Sequence, residues 1–495
     1  RITRRSKINK DWRTVEMTDK KRPNILFLMS DDQGAWAMHC AGNQEIITPS
    51  LDRLSREGMR FSQFFCCSPV CSPARASIVT GKMPSAHGIH DWLAGGNIET
   101  DRYPYMKNHE HFRKKDHGIE YLKGQTTYIE KLAEAGYWCA LSGKWHLGNN
   151  AEKKKGFSGW FTIGTGGCHY FNADTTENGR FHKEEQYITD VITDRALAFL
   201  DERPKDAPFY LSVHYTAPHG PWGKQENKQE IWELYQNCKF QSVPEESSHP
   251  NQISTCSIGD TPEKRRENLM GYYAAITAMD AGIGKILDYL DVHGLAEETV
   301  VIFTSDNGMN MGHHGIWGKG NGTYPPNMYD SSIKVPFLIR APFLKEQGSV
   351  TDRLTRHCDI YPTILELAGL KQETSPKQPG KSFLPFLMGR ETEYPGCVAV
   401  CDEYGFVRML RTEHEKLILR YLEGKNEFYD LVEDPEEKNN RINDPVCKER
   451  IEIMRKKLEM WFDLYSEEPF SGQTLPVSGR GQTDMCWKEN SFVRL

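Results

Sequence analysis

Four side chains with oxygen ligands directly follow two apolar, strand-like runs that lie far apart in the chain. They are Asp31, Asp32, Asp306 and Asn307. Carboxylate and amide oxygens suit a hard divalent cation such as Ca²⁺ or Mg²⁺, whereas zinc sites usually contain Cys or His. An Asp or Asn after a strand also caps helices, and either pair alone fits that role. Two such pairs together favour a metal site.

A cysteine occupies the middle of a segment that reads Pro-Val-Cys-Ser-Pro-Ala-Arg from position 69 to position 75. At the start of a helix, the backbone N–H groups and the guanidinium of Arg75 would favour an anion at this cysteine. Cys71 is therefore either a nucleophile or a structural thiol, and the residues alone leave both readings open.

The longer segment 69–81 resembles the signature of the type I sulfatases, which belong to the alkaline phosphatase superfamily: a Cys-x-Pro-x-Arg core is followed by apolar residues and Thr-Gly. The resemblance implies that a separate maturation enzyme oxidises Cys71 to formylglycine, whose hydrated aldehyde supplies the attacking oxygen. It also implies a cation on the four oxygen-bearing side chains, with calcium as the usual occupant and magnesium as the alternative.

The segment 136–146 resembles a second signature of that family, with one departure at Cys139, where the pattern usually has Ser or Thr. The resemblance implies that Lys144 neutralises the nucleophile and the sulfate. It further implies that His146 is the base that removes a diol proton and so expels sulfate.

Two later segments complete the resemblance. His219 lies in the proline-rich segment 214–222 and resembles the residue that contacts sulfate and the leaving oxygen. Lys319 lies in the glycine-rich segment 308–321 and resembles the lysine that binds sulfate and stabilises the leaving alkoxide. The catalytic residues implied in this way are Cys71, Arg75, Lys144, His146, His219 and Lys319.

The resemblance predicts a sulfuric ester hydrolase. Two alternatives remain: a phosphonate or phosphate ester hydrolase of the same superfamily, and a catalytically silent sulfate-binding homologue whose Cys71 is never oxidised. Alkaline phosphatase proper uses a Ser or Thr nucleophile and two zinc ions, so the Cys-x-Pro-x-Arg core disfavours it.

The substrate pocket is expected to contain polar and aromatic loop residues, which suit a sulfated sugar better than a steroid. Those predicted to bind substrate are His90, Asp91, His169, Trp222, His313 and His314, with Trp92, Tyr170, Trp317 and Asn321 beside them. Of the adjacent pair His313 and His314, one is expected to face substrate, and the sequence does not distinguish them.

Composition excludes several other classes of protein. The 495 residues carry a formal net charge of −6, with 38% hydrophobic residues and a mean hydropathy of −0.64. That balance does not predict a nucleic-acid partner. No apolar run approaches the roughly 20 residues of a membrane helix, so no membrane span is expected. The oligomeric state is not predicted.

The compartment also stays open. The first fifteen residues contain six Arg or Lys and no apolar segment of a secretory signal. If Met17 is near the natural start, a cytoplasmic protein is expected; after removal of a signal, the protein would be periplasmic, secreted or lysosomal. The thirteen cysteines have no CxxC spacing and do not predict a disulfide framework.

The elements that must position these residues alternate between strands and helices, which predicts an α/β fold with a large, mostly parallel sheet flanked by helices. The expected strands are 24–30, 209–214, 299–305 and 335–340, and the expected helices are 48–58, 126–136, 187–200, 265–293 and 359–369. Ligands of such sheets bind beyond the carboxyl ends of the strands, where the two acidic pairs fall.

A change of pattern predicts a second, smaller unit. Short strands are expected at 398–401, 407–411, 416–421 and 427–431, followed by a helix over 441–465 and a polar tail. We therefore predict an N-terminal extension over 1–21, a catalytic domain over 22–389 and a C-terminal subdomain over 390–495.

Overall fold

The structure is a computed structural model. It describes residues 22–102, 117–371, 375–390, 392–402, 406–468, 470–477 and 479–493. The predicted N-terminal extension, residues 1–21 with Met17, lies outside the described residues.

The strands, numbered along the chain, are β1 (Asn24–Ser30), β2 (Met59–Phe61), β3 (Phe64–Phe65), β4 (Trp138–Gly143), β5 (Gly159–Ile163), β6 (Ala173–Glu177), β7 (Arg180–Glu184), β8 (Phe209–His214), β9 (Thr299–Ser305), β10 (Asn310–Met311), β11 (Trp317–Gly318), β12 (Phe337–Arg340), β13 (Ser349–Thr351), β14 (Thr355–Arg356), β15 (Cys397–Asp402), β16 (Val407–Thr412), β17 (Glu415–Arg420) and β18 (Glu427–Asp430). The α-helices are α1 (Pro49–Glu57), α2 (Cys71–Thr80), α3 (Pro84–His87), α4 (Tyr128–Glu134), α5 (Ile188–Glu202), α6 (Gln229–Leu234), α7 (Pro262–Val292), α8 (Asp330–Ile333), α9 (Ile360–Leu367), α10 (Leu384–Leu387) and α11 (Lys448–Tyr465).

Ten strands form one large sheet in the order β13-β2-β12-β9-β1-β8-β4-β5-β6-β7. The five central strands, from β9 to β5, are all parallel. Such strands are buried on both faces, and alternate residues of β1 show this. Ile25 and Phe27 pack into the core that contains α4 and α9, whereas Leu26 and Leu28 pack into the core that contains α5 and α7.

The predicted fold class is confirmed: a mixed, mostly parallel sheet is flanked by helices, and a separate four-stranded antiparallel sheet, β15 to β18, lies near the C-terminus. Helix α11 covers the small sheet, where Leu458 and Phe462 pack with Leu410, Leu417 and Phe428. The exact boundary at 389/390 stays a prediction.

Three details differ from the sequence-based expectations. Strand β12 begins at Phe337 rather than at 335, because Pro336 has no N–H for the ladder. Helix α11 begins at Lys448 rather than at 441, because Asp444 precedes Pro445 and is held in an extended conformation. The antiparallel strands β6 and β7 beyond β5 were not predicted, since both are short and polar.

A buried lysine joins the small sheet to the large domain. Lys416, on β17, is fully buried and bonds to Asp330 of α8 at 2.6 Å, to the carbonyl of Met328 at 3.0 Å, and to Glu437. Burial alone would raise the pKa of Asp330, but neighbouring cations, Lys334 first, hold that pKa well below its usual value. The lowered pKa favours an ionised Asp330 in this contact.

Replacing this lysine is expected to destabilise the protein severely. Lys416→Ala leaves Glu437 buried without its lysine, and removing one partner of a buried ion pair costs about 3–5 kcal/mol. Differential scanning calorimetry at one scan rate should show a melting temperature several degrees below that of the wild type. The control Lys456→Ala removes an exposed lysine of α11 and should leave the transition unchanged. Equal transitions for both variants would contradict the role of Lys416.

No helix in the described part of the chain combines the length and the apolar character that crossing a membrane requires.

Candidate active site

The two acidic pairs meet at one edge of the sheet. Strands β1 and β9 are parallel neighbours, and their last residues, Ser30 and Ser305, are paired in register. The carboxylates of Asp31, Asp32 and Asp306 therefore converge, and their oxygens lie within 4.8 Å of one another. All three side chains are buried.

The fourth side chain completes an oxygen-rich cluster. Asn307 donates from Nδ2 to Asp32 Oδ1 at 2.8 Å, which leaves its own Oδ1 as the free ligand atom. Among the described residues, Asn307 Oδ1 and Asp31 Oδ1 are buried oxygens without a hydrogen-bond partner. Buried polar atoms are normally satisfied, so these two oxygens fit a cation.

The electrostatics of the cluster agree with that fit. Burial, and after it the charge of Asp306, raise the pKa of Asp31 to about 6. For Asp306 itself, burial alone would raise the pKa, but the neighbouring Arg75 and Lys144 outweigh it and hold the pKa below its usual value. A divalent cation would favour the ionised form of all three carboxylates.

Three cations surround the three carboxylates. Lys144 Nζ lies 2.5 Å from Asp31 Oδ2, Arg75 Nε lies 2.9 Å from Asp306 Oδ2, and Lys319 Nζ lies 2.6 Å from Asp32 Oδ1. These formal charges cancel. A bound divalent cation would therefore make the site positive, as binding of an anionic substrate requires.

Cys71 is the first residue of α2 and is almost completely buried. Its sulfur lies 3.5 Å from Nδ1 of His146. Arg75, one turn further along the helix, donates from Nη1 to the carbonyl of Lys144 at 2.9 Å, and this bond ties α2 to the loop after β4. The helix start thus holds position 71 next to the imidazole and the cation cluster.

The hydrogen bonds of His146 determine which of its ring nitrogens carries the proton. Nε2 lies 3.2 Å from the carbonyl of Leu93, an acceptor only, so this nitrogen carries the proton and Nδ1 has a free lone pair towards Cys71. Burial first, and then the charges of Lys144 and Arg75, lower the pKa of His146 well below its usual value. The lowered pKa favours the neutral ring, whose Nδ1 can accept a hydrogen bond from the group at position 71.

Backbone conformation marks the same place. His146 has φ of 56° and Asp32 has φ of 62°, both in the left-handed region that residues other than glycine rarely adopt. Such strain accumulates at functional sites, where the surrounding structure enforces it.

His219 lies on the open side of the cluster. Its Nδ1 donates to the carbonyl of Gly220 at 2.7 Å, and its Nε2 lies 3.7 Å from Asp32 Oδ2. The loop after β8 therefore aims Nε2 towards the cluster. Burial alone would lower the pKa of Lys319, but neighbouring carboxylates, Asp32 first, raise it well above its usual value, so this amine is charged.

The family model described as Sulfatase matches residues 23–370. The chain belongs to the sulfatase family. A second family model, described as N-sulphoglucosamine sulphohydrolase, C-terminal, matches residues 312–462. The predicted family is thus confirmed, and the assigned activity is that of a sulfuric ester hydrolase.

Two curated relatives are similar over most of the chain. An N-acetylglucosamine-6-O-sulfatase of Bacteroides thetaiotaomicron is 28% identical, with 93% of this chain and 90% of that protein covered. An ulvan-active sulfatase of Formosa agariphila is 28% identical, with 88% of this chain and 80% of that protein covered.

Solved structures agree with the fold. A structure in complex with its substrate D-glucosamine-2-N,6-O-disulfate superposes with a TM-score of 0.77 at 25% identity and covers 92% of this chain and 100% of its own. The phosphonate monoester hydrolase of Agrobacterium radiobacter has a TM-score of 0.64 at 19% identity, covers 90% of this chain and 96% of its own, and shares the fold.

A cavity of about 370 Å³ opens above this sulfatase centre. Its volume lies at the small end of the range for ligand pockets. It is lined by Cys71, Trp92, Leu93, Ala94, Asn97, His146, Thr165, Gly166, Gly167, His219, Lys319 and Asn321. The six residues predicted to bind substrate are absent from that lining, whereas Trp92 and Asn321, which were expected beside them, belong to it.

Three of those six are buried elsewhere. His90 is fully buried, and burial lowers its pKa to about 3. Both oxygens of Asp91 accept backbone N–H groups, from Trp92 and from Gly481. Trp222 donates from its indole to the carbonyl of Pro218 inside a hydrophobic cluster. Local polarity suggested a pocket, but long-range contacts bury these side chains.

The other three lie at separate places. His169 is half-exposed and bonds to Glu226 at 2.8 Å. His313 is packed against Trp36, with ring centroids 4.7 Å apart. His314 stacks on Tyr329 at 3.7 Å and lines a different cavity of about 670 Å³ beside the small sheet. Their role in substrate binding stays a prediction, and the geometry does not favour it.

Sequence reasoning missed two stretches of the wall, 93–97 and 165–167. In the second stretch, the adjacent glycines Gly166 and Gly167 are the feature from which a close approach to the site could have been inferred. A Cβ on Gly166 would lie 2.1 Å from His146 Nε2, and a Cβ on Gly167 would lie 3.2 Å from His219 Cε1. These glycines therefore give both imidazoles their space, as close approach of backbone to a site requires.

Proposed function

We propose that this sulfatase removes sulfate from a sulfated carbohydrate, and specifically a 6-O-sulfate from an amino sugar. The observation that carries the proposal is the convergence of Cys71, His146, His219 and Lys319 on one small cavity above the acidic cluster. The similar N-acetylglucosamine-6-O-sulfatase, and the similar structure with a glucosamine disulfate, support the choice of sugar.

The cation we propose is Ca²⁺, with Mg²⁺ as the alternative, held by Asp31, Asp32, Asp306 and Asn307. A cation there supplies charge stabilisation to a sulfate oxygen. We also propose that a maturation enzyme converts Cys71 to formylglycine, whose hydrated aldehyde provides the nucleophilic oxygen.

The remaining roles follow from the contacts. Lys319 lines the cavity and would contact the sulfate, whereas Lys144 is fully buried beside Asp31 and would act on the sulfate through its positive charge. Arg75, on the helix that begins at position 71, bonds to Asp306. Charges fixed in a buried site stabilise the transition state without reorganisation.

Two proton transfers are needed, and we assign them to different side chains. His219 or Lys319 gives a proton to the departing sugar oxygen from the open side of the cavity. His146 then takes a proton through Nδ1 from the hydroxyl left at position 71, and sulfate leaves as the aldehyde re-forms. Burial keeps His146 neutral, which this step requires.

A panel of sulfate esters tests the substrate. We expect sulfate release, measured by ion chromatography, to be fastest from N-acetylglucosamine 6-sulfate, because the 370 Å³ cavity fits one ring. The 3-sulfate and 4-sulfate isomers serve as matched controls, and a phosphonate ester tests the alternative chemistry. Turnover of an aryl sulfate or a phosphonate ester, with none of any sugar sulfate, would refute the carbohydrate proposal.

A further inference from the structure

The C-terminal tail, residues 479–493, returns to the catalytic domain and pairs with the segment 88–94. Gln482 is fully buried there. Its N–H donates to the carbonyl of Trp92 at 2.9 Å, and its carbonyl accepts from the N–H of Ala94 at 2.9 Å. This is the backbone pattern of a bridge centred on Leu93. The tail therefore adds a strand-like contact to a stretch that lines the cavity.

The side chain of Gln482 forms further hydrogen bonds with the same segment. Its Oε1 accepts from the N–H of His90 at 2.9 Å. Its Nε2 donates to the carbonyl of Gly88 at 3.1 Å and to the carbonyl of Asp484 at 3.0 Å. Every polar atom of this buried amide is thus bonded, and two of its three bonds reach the segment 88–94.

Two further contacts fix the tail. Asp91 accepts the N–H of Gly481 at 2.9 Å. Gly481 has φ of 110°, and a Cβ there would lie 2.4 Å from Cβ of Ala94 and 3.2 Å from the ring of Trp92, so only glycine fits. Apolar residues of the tail, Cys486 and Phe492 among them, pack with Val70, which directly precedes Cys71.

The segment 88–94 includes residues that line the cavity above the candidate active site. Trp92 lines the cavity with 38% of its surface exposed, and Leu93 and Ala94 line it beside Trp92. The N–H of Leu93 donates to Ser72 Oγ at 3.2 Å, and its carbonyl accepts from Asn97 at 2.9 Å as well as from His146. Leu93 is thus anchored by the catalytic domain, and its neighbours on both sides are held by the tail.

We propose that the C-terminal tail is part of the substrate site. Gln482 is a positioning residue that fixes the wall 92–94, and Trp92 presents an aromatic face against which the sugar ring of the substrate packs. The proposal rests on the proposed function, because it names what holds and recognises the carbohydrate part of that substrate. An indole is a rigid, amphipathic surface that suits the apolar face of a sugar ring.

The test compares two substrates on Gln482→Ala. For N-acetylglucosamine 6-sulfate we expect kcat/KM to fall about 10- to 100-fold, chiefly through KM, since a misplaced wall weakens positioning. For 4-nitrophenyl sulfate we expect a change of less than about threefold, because Leu93 keeps its bonds to Ser72 and Asn97 and His146 keeps its acceptor. Gln473→Ala, at an exposed position of the chain near the tail, is the matched control and should match the wild type on both substrates.

Trp92→Ala gives a second test, because it leaves the hydrogen bonds between Gln482 and the segment 88–94 intact. KM for the sugar sulfate should rise about tenfold or more, and the conservative variant Trp92→Phe, which keeps an aromatic face, should recover most of that loss. The control Trp487→Ala removes another exposed indole, which packs on Phe470 away from the cavity lining, and should leave both substrates unchanged.

Amide hydrogen exchange reports on the hydrogen bonds between Gln482 and the segment 88–94 without any substrate. Exchange in the segment 88–94 should be faster in Gln482→Ala than in the wild type, while exchange in β1 stays the same. Unchanged exchange, or equal loss of activity on both substrates, would overturn the role of Gln482. If the wild type cleaves the aryl ester but no sugar sulfate, the proposed function and the role of Trp92 both fail. Amide hydrogen exchange alone then decides whether Gln482 fixes the segment 88–94.

Discussion

Cys71→Ala is expected to reduce sulfate release by more than about 10⁴-fold, because alanine has no thiol that can be oxidised, so no aldehyde and no nucleophilic oxygen forms at position 71. The fold should survive: the sulfur is buried, and among the described residues its one hydrogen-bond partner is the His146 ring at 3.5 Å. Steady-state assays with N-acetylglucosamine 6-sulfate measure the loss, and circular dichroism checks the fold.

The control for this variant is Cys238→Ala, which replaces a partly buried cysteine that does not line the cavity. It should keep wild-type activity. Mass spectrometry of the peptide containing position 71 must accompany the assay, because exchange of the thiol for an aldehyde lowers the peptide mass. Converted wild-type protein with no turnover of any sulfate ester would favour the phosphonate or phosphate ester hydrolase, and native protein with unconverted Cys71 would favour the silent homologue. Retained activity in Cys71→Ala would refute the nucleophile.

The two acidic pairs could be predicted because they directly follow strands, whereas the catalytic residues, Lys144 among them, were implied by the resemblance to the family signatures. Asp31 and Asp306 come one residue after β1 and β9, and Lys144 comes one residue after β4. In a parallel sheet, such positions share one edge whatever the intervening sequence. The structure adds the ion pairs between them, which no spacing reveals.

The pocket could not be predicted in the same way. His90 and Asp91 are polar and lie in a loop, so the sequence suggests a binding surface, yet their neighbours come from residues about 390 positions away, such as Gly481 and Gln482. Contacts of that separation leave no local pattern. The same cause explains why the sequence predicts a polar C-terminal tail and gives no sign that this tail supports the cavity wall.

The charges of the site explain why the cation matters so much. Without it, Lys144, Arg75 and Lys319 are each matched by a carboxylate at 2.5–2.9 Å. A sulfate monoester would then compete with those carboxylates for the same ammonium and guanidinium groups. A divalent cation on the carboxylate oxygens frees positive charge for the sulfate, so substrate affinity and metal binding should fall together.

Asp306→Asn is therefore expected to lose both the metal and most of the activity. The amide keeps the size of the side chain. In the wild type, the N–H groups of Asp32 and Asn307 donate to Oδ1 of Asp306 at 3.1 and 2.9 Å, and the amide oxygen of the variant can accept the same two bonds. The substitution removes one negative charge from the cluster and from the partner of Arg75. We expect Ca²⁺ affinity to fall at least about 10- to 100-fold and kcat/KM to fall about 10²- to 10³-fold.

Calorimetric titration with Ca²⁺ measures the first effect independently of activity. Because a ligand that binds the native state stabilises it, saturating Ca²⁺ should raise the melting temperature of the wild type and leave that of Asp306→Asn unmoved. The matched control is Asp280→Asn, since Asp280 is equally buried and accepts the N–H groups of Ser50 and Leu51 at the start of α1. That variant should lose stability and still bind Ca²⁺ like the wild type, which separates loss of the metal from loss of a buried charge. Full activity in protein stripped of metal by a chelator would contradict the metal role of Asp306 and with it the charge argument above.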